Sequence, residues 1–248
     1  MLSTRPPVLD DDPAALDAIW AALRPERSTG TPLIRAVMIS SVDGTTTVDG
    51  RSGGLGTPTD GLVYDAMRAR ADLILVGSGT ALAEGYGPAE VSPVWADRRT
   101  GPAPVILVLT RSLPDRLIDL CADTDDRIRI AAAHEVDARR VEAARARGVT
   151  VHVLDPGPTG AAIRTLASHL DVREVDFEGG PRLLGTLLSE GAVDELVLSV
   201  SPQVIVGGDA STLTSGPGDA RVPMRVVSAF TCSRGGLYTR WAVGEGDR

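Results

Sequence analysis

The segment Val175–Thr186, VDFEGGPRLLGT, constrains this chain more than any other. Val175 and Phe177 favour an extended strand, and Glu178 follows at its C-terminal edge. Gly179 and Gly180 allow positive φ or a close backbone approach, because neither carries a Cβ. Pro181 suits the first turn of a helix, where its missing N–H costs nothing. Leu183, Leu184, Leu187 and Leu188 then recur at helical spacing. A strand that breaks at glycines and restarts as a helix aims free N–H groups beyond the sheet, usually at an anion. In open α/β sheets that crevice is the usual ligand site. A plain tight connection would use the same residues, so the turn alone leaves both readings open.

Two further units repeat the pattern. Leu73–Val76 is a short buried strand that delivers Gly77-Ser78-Gly79-Thr80 and then a helical Ala81–Glu84. Such a turn, with hydroxyls beside free N–H groups, can cradle a pyrophosphate. Val105–Leu109 ends in Thr110-Arg111-Ser112, where an arginine would prefer a 2′-phosphate to a bare ribose. A solvated arginine in a turn is the bland alternative.

Around these units, Pro13 and Asp12 open a short helix over Ala14–Leu23, behind a loose arm rich in Pro and Asp. Leu33–Ser40 reads as a central strand and Thr45–Val48 as a second extended piece. Asp49-Gly50 marks a turn. The glycine-dense Ser52–Gly56 suits a binding loop or a mobile one. Thr57 caps a helix over Thr59–Ala71. Strands follow at Arg127–Ala132, Val149–Leu154, Glu195–Val200 and Val204–Val206. Helices follow at Asp137–Arg147 and Gly160–His169. Val222–Phe230 and Gly236–Val243 form a terminal antiparallel hairpin. This alternation predicts an α/β sheet with an antiparallel pair added at its end. Residues 1–32 are expected as an arm and short helix packed on one domain, residues 33–248.

Composition narrows the function classes. Aromatics are only 3% against 43% hydrophobic residues, so Val, Leu, Ile and Ala build the core, as in a buried sheet covered by helices. A net charge of −8 argues against nucleic-acid and membrane-surface partners. Cys121 and Cys232 stand far apart, which disfavours a disulfide framework or a cysteine-based zinc site. His134, His152 and His169 show no ligand spacing, so no metal is expected. No secretory signal and no bilayer-length apolar run occur, which predicts a cytoplasmic protein.

The order of several motifs resembles the reductase domain of bacterial riboflavin biosynthesis, the pyrimidine reductase of the RibD C-terminal type. The motifs are Ser40-Ser41-Val42-Asp43-Gly44, Arg68–Asp72 running into Leu73–Thr80, Glu178-Gly179-Gly180-Pro181, Val193–Leu196, Ser201-Pro202 and Gly207-Gly208. The resemblance implies a dihydrofolate reductase-like three-layer sandwich. Its central sheet is mixed and mostly parallel, with helices on both faces and a C-terminal antiparallel hairpin. Val105–Ser112 is also similar to the dihydrofolate reductase strand whose end holds the cofactor's 2′-phosphate.

By that resemblance NADPH is the cofactor. Ile39, Gly54, Gly77, Gly79, Thr80 and Glu84 would face it, and Thr110, Arg111 and Ser112 would take its 2′-phosphate. Gly179, Gly180, Pro181, Arg182, Leu183, Leu184, Gly185 and Thr186 would wrap its pyrophosphate. Ser52, Arg68 and Glu178 would hold a phosphorylated pyrimidine substrate, Arg68 through its phosphate. Glu178, and after it Asp43, are the candidates for orienting substrate or relaying a proton. The resemblance also implies a homodimer.

Two departures matter. The family's aspartate after the GxGT turn is Glu84 here. Its following Asp-Pro-x-Leu segment is replaced by Gly85-Tyr86-Gly87-Pro88, which opens the substrate to question. The zinc deaminase signature of the family's fused domain, H-x-E with P-C-x-x-C, occurs nowhere in the 248 residues. Reduction of another heterocycle, such as dihydrofolate or a pterin, is the first alternative. A non-catalytic NADPH-binding protein is the second, and a flavin protein a third.

Overall fold

A computed structural model describes residues 6–25, 30–207, 211–216 and 220–244. Gly208 and the first residues of the arm therefore lie outside the described residues. Nine strands form one sheet: β1 (Leu33–Ser41), β2 (Leu73–Gly77), β3 (Val105–Thr110), β4 (Ile128–Ala132), β5 (Val151–Val153), β6 (Glu174–Phe177), β7 (Glu195–Ser201), β8 (Met224–Thr231) and β9 (Leu237–Val243). Their spatial order is β5-β4-β3-β2-β6-β1-β7-β9-β8. Neighbours from β5 to β7 pair in parallel, while β9 runs antiparallel to both β7 and β8. The sheet is thus mixed and mostly parallel, as the resemblance implies, and it ends in the antiparallel pair that the sequence pattern predicts.

Alternation along the strands splits the core into two layers. Ile34, Ala36, Leu73, Leu75, Val175 and Phe177 face α6 (Thr159–His169) and α7 (Pro181–Ser189). Ile74, Val76, Ile106, Val108 and Ile130 face α3 (Ser78–Glu84), α4 (Asp115–Cys121) and α5 (Ala138–Ala146). Beside that second cluster, α1 (Pro13–Ala22) and α2 (Pro58–Arg70) cover Val37 and Val197 with Trp95 and Tyr238. Capping is as read: the Asp12 carboxylate accepts from the Ala14 and Ala15 amides, and Thr57 accepts from Asp60.

The structure corrects three local expectations. Thr45–Val48 is no strand; it makes isolated bridges from Thr45 to Thr212 and from Val48 to Arg51. Val204–Val206 is irregular, with Val206 92% exposed, so it has no sheet to join. Helix α4 has no counterpart in the sequence reading. It starts after Pro114 without a side-chain cap and spans only 7 residues, too few to show a period.

Candidate active site

The parallel strands point their C-terminal ends at one rim, and the glycine turns sit there. The Glu178 amide donates to the Leu75 carbonyl at 2.9 Å, and the Gly77 amide to the Gly179 carbonyl at 2.8 Å. These bonds lock the ends of β2 and β6 together. Gly179 has φ +115°, which needs a glycine, and the Gly179–Gly180 peptide is cis. A Cβ on Gly180 would lie 2.5 Å from the Thr80 hydroxyl, so the second glycine is demanded by a close approach.

A cavity of about 660 Å³ opens above these turns. Gly77, Gly79, Thr80, Thr110, Arg111, Gly180, Pro181, Arg182, Leu183 and Thr186 of the expected cofactor set line it. Helix α7 begins there with Gly180 as N-cap and no side chain capping it. The first amides of a helix have no intrahelical partner, so those of Arg182 and Leu183 are available to an anion. A phosphate-bearing group therefore fits these residues. Thr110 turns its oxygen inward, accepting from Leu113 at 3.1 Å.

The rest of the expected set lies elsewhere. Ser112 is not among the residues lining the cavity, nor is Gly179, which is buried. Leu184 is wholly buried in the core. A Cβ on Gly185 would meet the Ser215 carbonyl at 2.7 Å, so this glycine serves packing. Ile39 pairs with Ser199 across the central strands. Gly54 lies against Val48 in the loop that precedes α2. Glu84 accepts from the Ser52 amide at 2.9 Å and hydroxyl at 3.1 Å, which joins an expected cofactor residue to an expected substrate residue.

Arg68 and Glu178 meet directly. Arg68 donates from Nε to Oε1 at 2.6 Å and from Nη2 to Oε2 at 2.8 Å. The Tyr64 and Tyr86 hydroxyls each donate to Oε2 at 2.7 Å. Their rings flank the guanidinium at 4.5 and 5.7 Å. Burial opposes the charge on Arg68, but the hydrogen bonds and charge of Glu178 outweigh it and raise its pKa. Burial, and then the charge of Glu178, raise both tyrosines, so their hydroxyls stay protonated donors. Beneath them Asp176 is completely buried, and neither carboxyl oxygen has a partner among the described residues. Burial and then Glu178 push its pKa well above the carboxylate range, so it keeps its proton.

Asp43 has a different setting. It accepts from the Ile205 amide and the Ser41 and Thr45 hydroxyls. These bonds lower its pKa to about 2, the Ile205 amide contributing most. A carboxylate held there has no proton to give near neutrality; it ties the 41–45 turn to the 203–207 segment.

Tyr64, Tyr86, Glu135 and Asp155 were not expected at the site, and His134 was read only as a histidine without ligand spacing. Tyr86 lay in the segment that departs from the family pattern, which was the one available signal. His134, Glu135 and Asp155 line the cavity from the loops after β4 and β5, and isolated polar loop residues carry no period.

A model of the RibD C-terminal domain matches residues 32–238. The chain belongs to the RibD C-terminal domain family. The riboflavin biosynthesis protein RibD of Escherichia coli is 27% identical over 208 residues, covering 77% of this chain and 53% of that protein. The chain thus spans about half the length of the curated relatives it matches. A pyrimidine reductase-like protein from Corynebacterium diphtheriae has a similar structure, with a TM-score of 0.79 and 25% identity over 93% of this chain and 99% of that one. RibD of Acinetobacter baumannii shares the fold at a TM-score of 0.68 and 18% identity, over 88% of this chain and 60% of that one. Among the described residues no group of three or more His, Cys, Asp or Glu side chains could hold a metal ion, and Cys121 and Cys232 are free. No described helix is long and apolar enough to cross a membrane.

Proposed function

We propose that this RibD C-terminal domain is an NADPH-dependent oxidoreductase of the riboflavin-pathway type. Its substrate would be a 5-amino-6-ribosylaminopyrimidine 5′-phosphate, reduced from ribosyl to ribityl. The observation that carries the reading is the cavity at the parallel strand ends, where Gly77–Thr80, Arg111 and the open start of α7 converge. Family membership supports the same reaction class.

NADPH held by these residues would supply a hydride for the substrate's C1′. The chain supplies position. Arg182 and Leu183 amides and the Thr80 hydroxyl would hold the pyrophosphate, and Arg111 the 2′-phosphate. Ser52, Arg68 and Glu178 would orient the sugar; holding two reactants in line is a large part of such acceleration. Glu178 serves orientation rather than acid chemistry, because Arg68, Tyr64 and Tyr86 occupy both its oxygens. The same reading places the enzyme in the cytoplasm as a homodimer.

The test is NADPH and NADH binding by calorimetry on wild type and Arg111→Ala. Losing a charge-assisted contact to the 2′-phosphate should cost about 1.5–3 kcal/mol for NADPH and leave NADH unchanged. Binding of neither nucleotide would remove the reading. Tyr86 favours a second reading, reduction of another heterocycle such as a pterin or dihydrofolate. It fills the place of the family's Asp-Pro-x-Leu segment and turns its hydroxyl onto Glu178. NADPH consumption with each purified substrate separates the two.

A further inference from the structure

Among the described residues, four charged side chains and one histidine line the cavity. Arg111 follows β3, His134 and Glu135 follow β4, Asp155 follows β5, and Arg182 lies in the first turn of α7. The two arginines are offset by the two carboxylates, so the net charge of this lining turns on His134. Histidine is also the one side-chain type among them that ordinarily changes its charge between about pH 5 and 8.

Strand register puts the histidine beside Arg111. Thr110 on β3 pairs with Ala132 on β4, and Ala132 with Val153 on β5. The ladder runs on past these pairs. The Ala133 amide donates to the Thr110 carbonyl at 2.9 Å, and the Leu154 amide to the Ala132 carbonyl at 2.8 Å. Arg111, His134 and Asp155 therefore leave three adjacent strand ends, which stand about 4.8 Å apart in a sheet. An anion held by Arg111 is within reach of the His134 ring. Glu135 meets that ring at its other nitrogen, with Oε2 3.1 Å from Nδ1. This contact orients the ring and leaves Nε2 for a ligand. Asp155 stands one strand further from Arg111 than His134 does, so an anion is favoured on the arginine side of the ring and opposed beyond it.

We propose that His134 is a specificity-determining residue. As an imidazolium it joins Arg111 on the 2′-phosphate of NADPH, so the preference for NADPH over NADH falls as the pH rises through neutrality. The proposal rests on the reductase reading above, which needs Arg111 alone, and adds a second cation whose charge depends on pH. Two titrations set the sign. A histidine protonated below about pH 6 meets a phosphate as a charge-assisted donor. A neutral ring offers at most one ordinary hydrogen bond. The phosphate works the other way, since a phosphate monoester gains its second negative charge near about pH 6. An arginine alone would therefore hold NADPH as well or better at the higher pH.

The test titrates NADPH and NADH against wild type and His134→Gln, at about pH 6 and about pH 8 and at one ionic strength, read by nucleotide fluorescence. The wild-type ratio of NADPH to NADH affinity should fall about fivefold over that interval, while in His134→Gln it should hold or rise. At the lower pH the variant should bind NADPH about tenfold more weakly than wild type, and NADH within about twofold of it. Proton NMR of the three histidines gives a reading free of the nicotinamide. The resonance missing from His134→Gln should titrate at higher pH with adenosine 2′,5′-bisphosphate bound than with adenosine 5′-phosphate. A fall in the ratio that persists in His134→Gln, or an unmoved His134 resonance, would overturn the proposal. An equal loss of NADH affinity in the variant would overturn it too, by assigning the ring to the part that both nucleotides share. If wild type binds neither nucleotide, the reductase reading fails and carries this proposal with it. If wild type prefers NADPH through Arg111 equally at both pH values, the reading stands and this proposal alone falls.

Discussion

Both carboxylate oxygens of Glu178 are occupied, and its side chain is 1% exposed beside an Arg68 that is 17% exposed. Removing one partner of such a pair leaves the other charge buried and unmatched. Glu178→Ala should therefore cost about 3–5 kcal/mol of stability, with Arg68, Tyr64 and Tyr86 all losing their acceptor. Replacing both members, Arg68→Met with Glu178→Leu, should cost much less, because no charge is stranded. Urea unfolding of the two variants checks this, and equal losses would show that packing rather than charge holds the cluster. The sequence marked Glu178 and Arg68 separately, each as a ligand-facing group. Their pairing was out of reach, because a helix residue and a strand end 110 positions apart share no local signal. The two tyrosines were harder still. One sits at the middle of a helix and the other in a loop, and a hydroxyl becomes informative only once its acceptor is placed.

At the level of elements, periodicity and punctuation placed most helices and strands within a residue or two. Buried strands announce themselves as unbroken runs of branched residues, and Asp12 and Thr57 announce helix starts. What failed was short or isolated: a seven-residue helix at Asp115–Cys121, and two extended pieces that joined no strand of the sheet. Close contacts between helices were also invisible. Gly160 in α6 is an example, since a Cβ there would lie 2.1 Å from the Ala192 Cβ just after α7. Its own backbone is helical, so the need for glycine comes from the neighbour and not from φ. Gly160→Ala should destabilise by about 1–3 kcal/mol through overpacking, despite alanine's better helix propensity. Ala192→Gly in the same background should recover most of that loss. Non-additivity in this cycle, read from denaturant midpoints, is the decisive quantity; simple additivity would mean that α6 and the segment after α7 yield freely.

Across the whole molecule, four neighbouring strands carry a row of alternating charge on one face of the sheet. Arg35 on β1 is fully buried and donates to Glu195 on β7 at 2.9 Å, to Glu174 on β6 at 2.6 Å and to the Leu23 carbonyl at 2.6 Å. Arg240 on β9 donates to Glu195 at 2.9 Å and to the Ala22 carbonyl at 2.9 Å. The two arginines thus take the last carbonyls of α1, where a positive charge meets the negative end of the helix. Nothing in the sequence pointed to this row, because its members stand in four separated segments and Leu33–Ser40 read as an apolar strand. The row also explains how α1 is held on a sheet it does not extend, with Trp20 stacked on Trp95 at 5.5 Å beside it. Arg35→Met would keep the volume of the side chain and remove three donors at once. Glu195 would retain Arg240, Glu174 would lose its partner on β1, and Leu23 would lose its buried donor. The expected cost is about 3–5 kcal/mol, a large share of the roughly 5–15 kcal/mol that holds a domain folded. Arg98→Met is the matched surface control: its pair with Asp17 is 29% and 73% exposed, and it should cost less than about 1 kcal/mol. Urea titrations followed by tryptophan fluorescence compare the two. If Arg35→Met proves as mild as Arg98→Met, the apolar clusters alone hold α1 on the sheet, and the charged row is a consequence of the fold and not one of its supports.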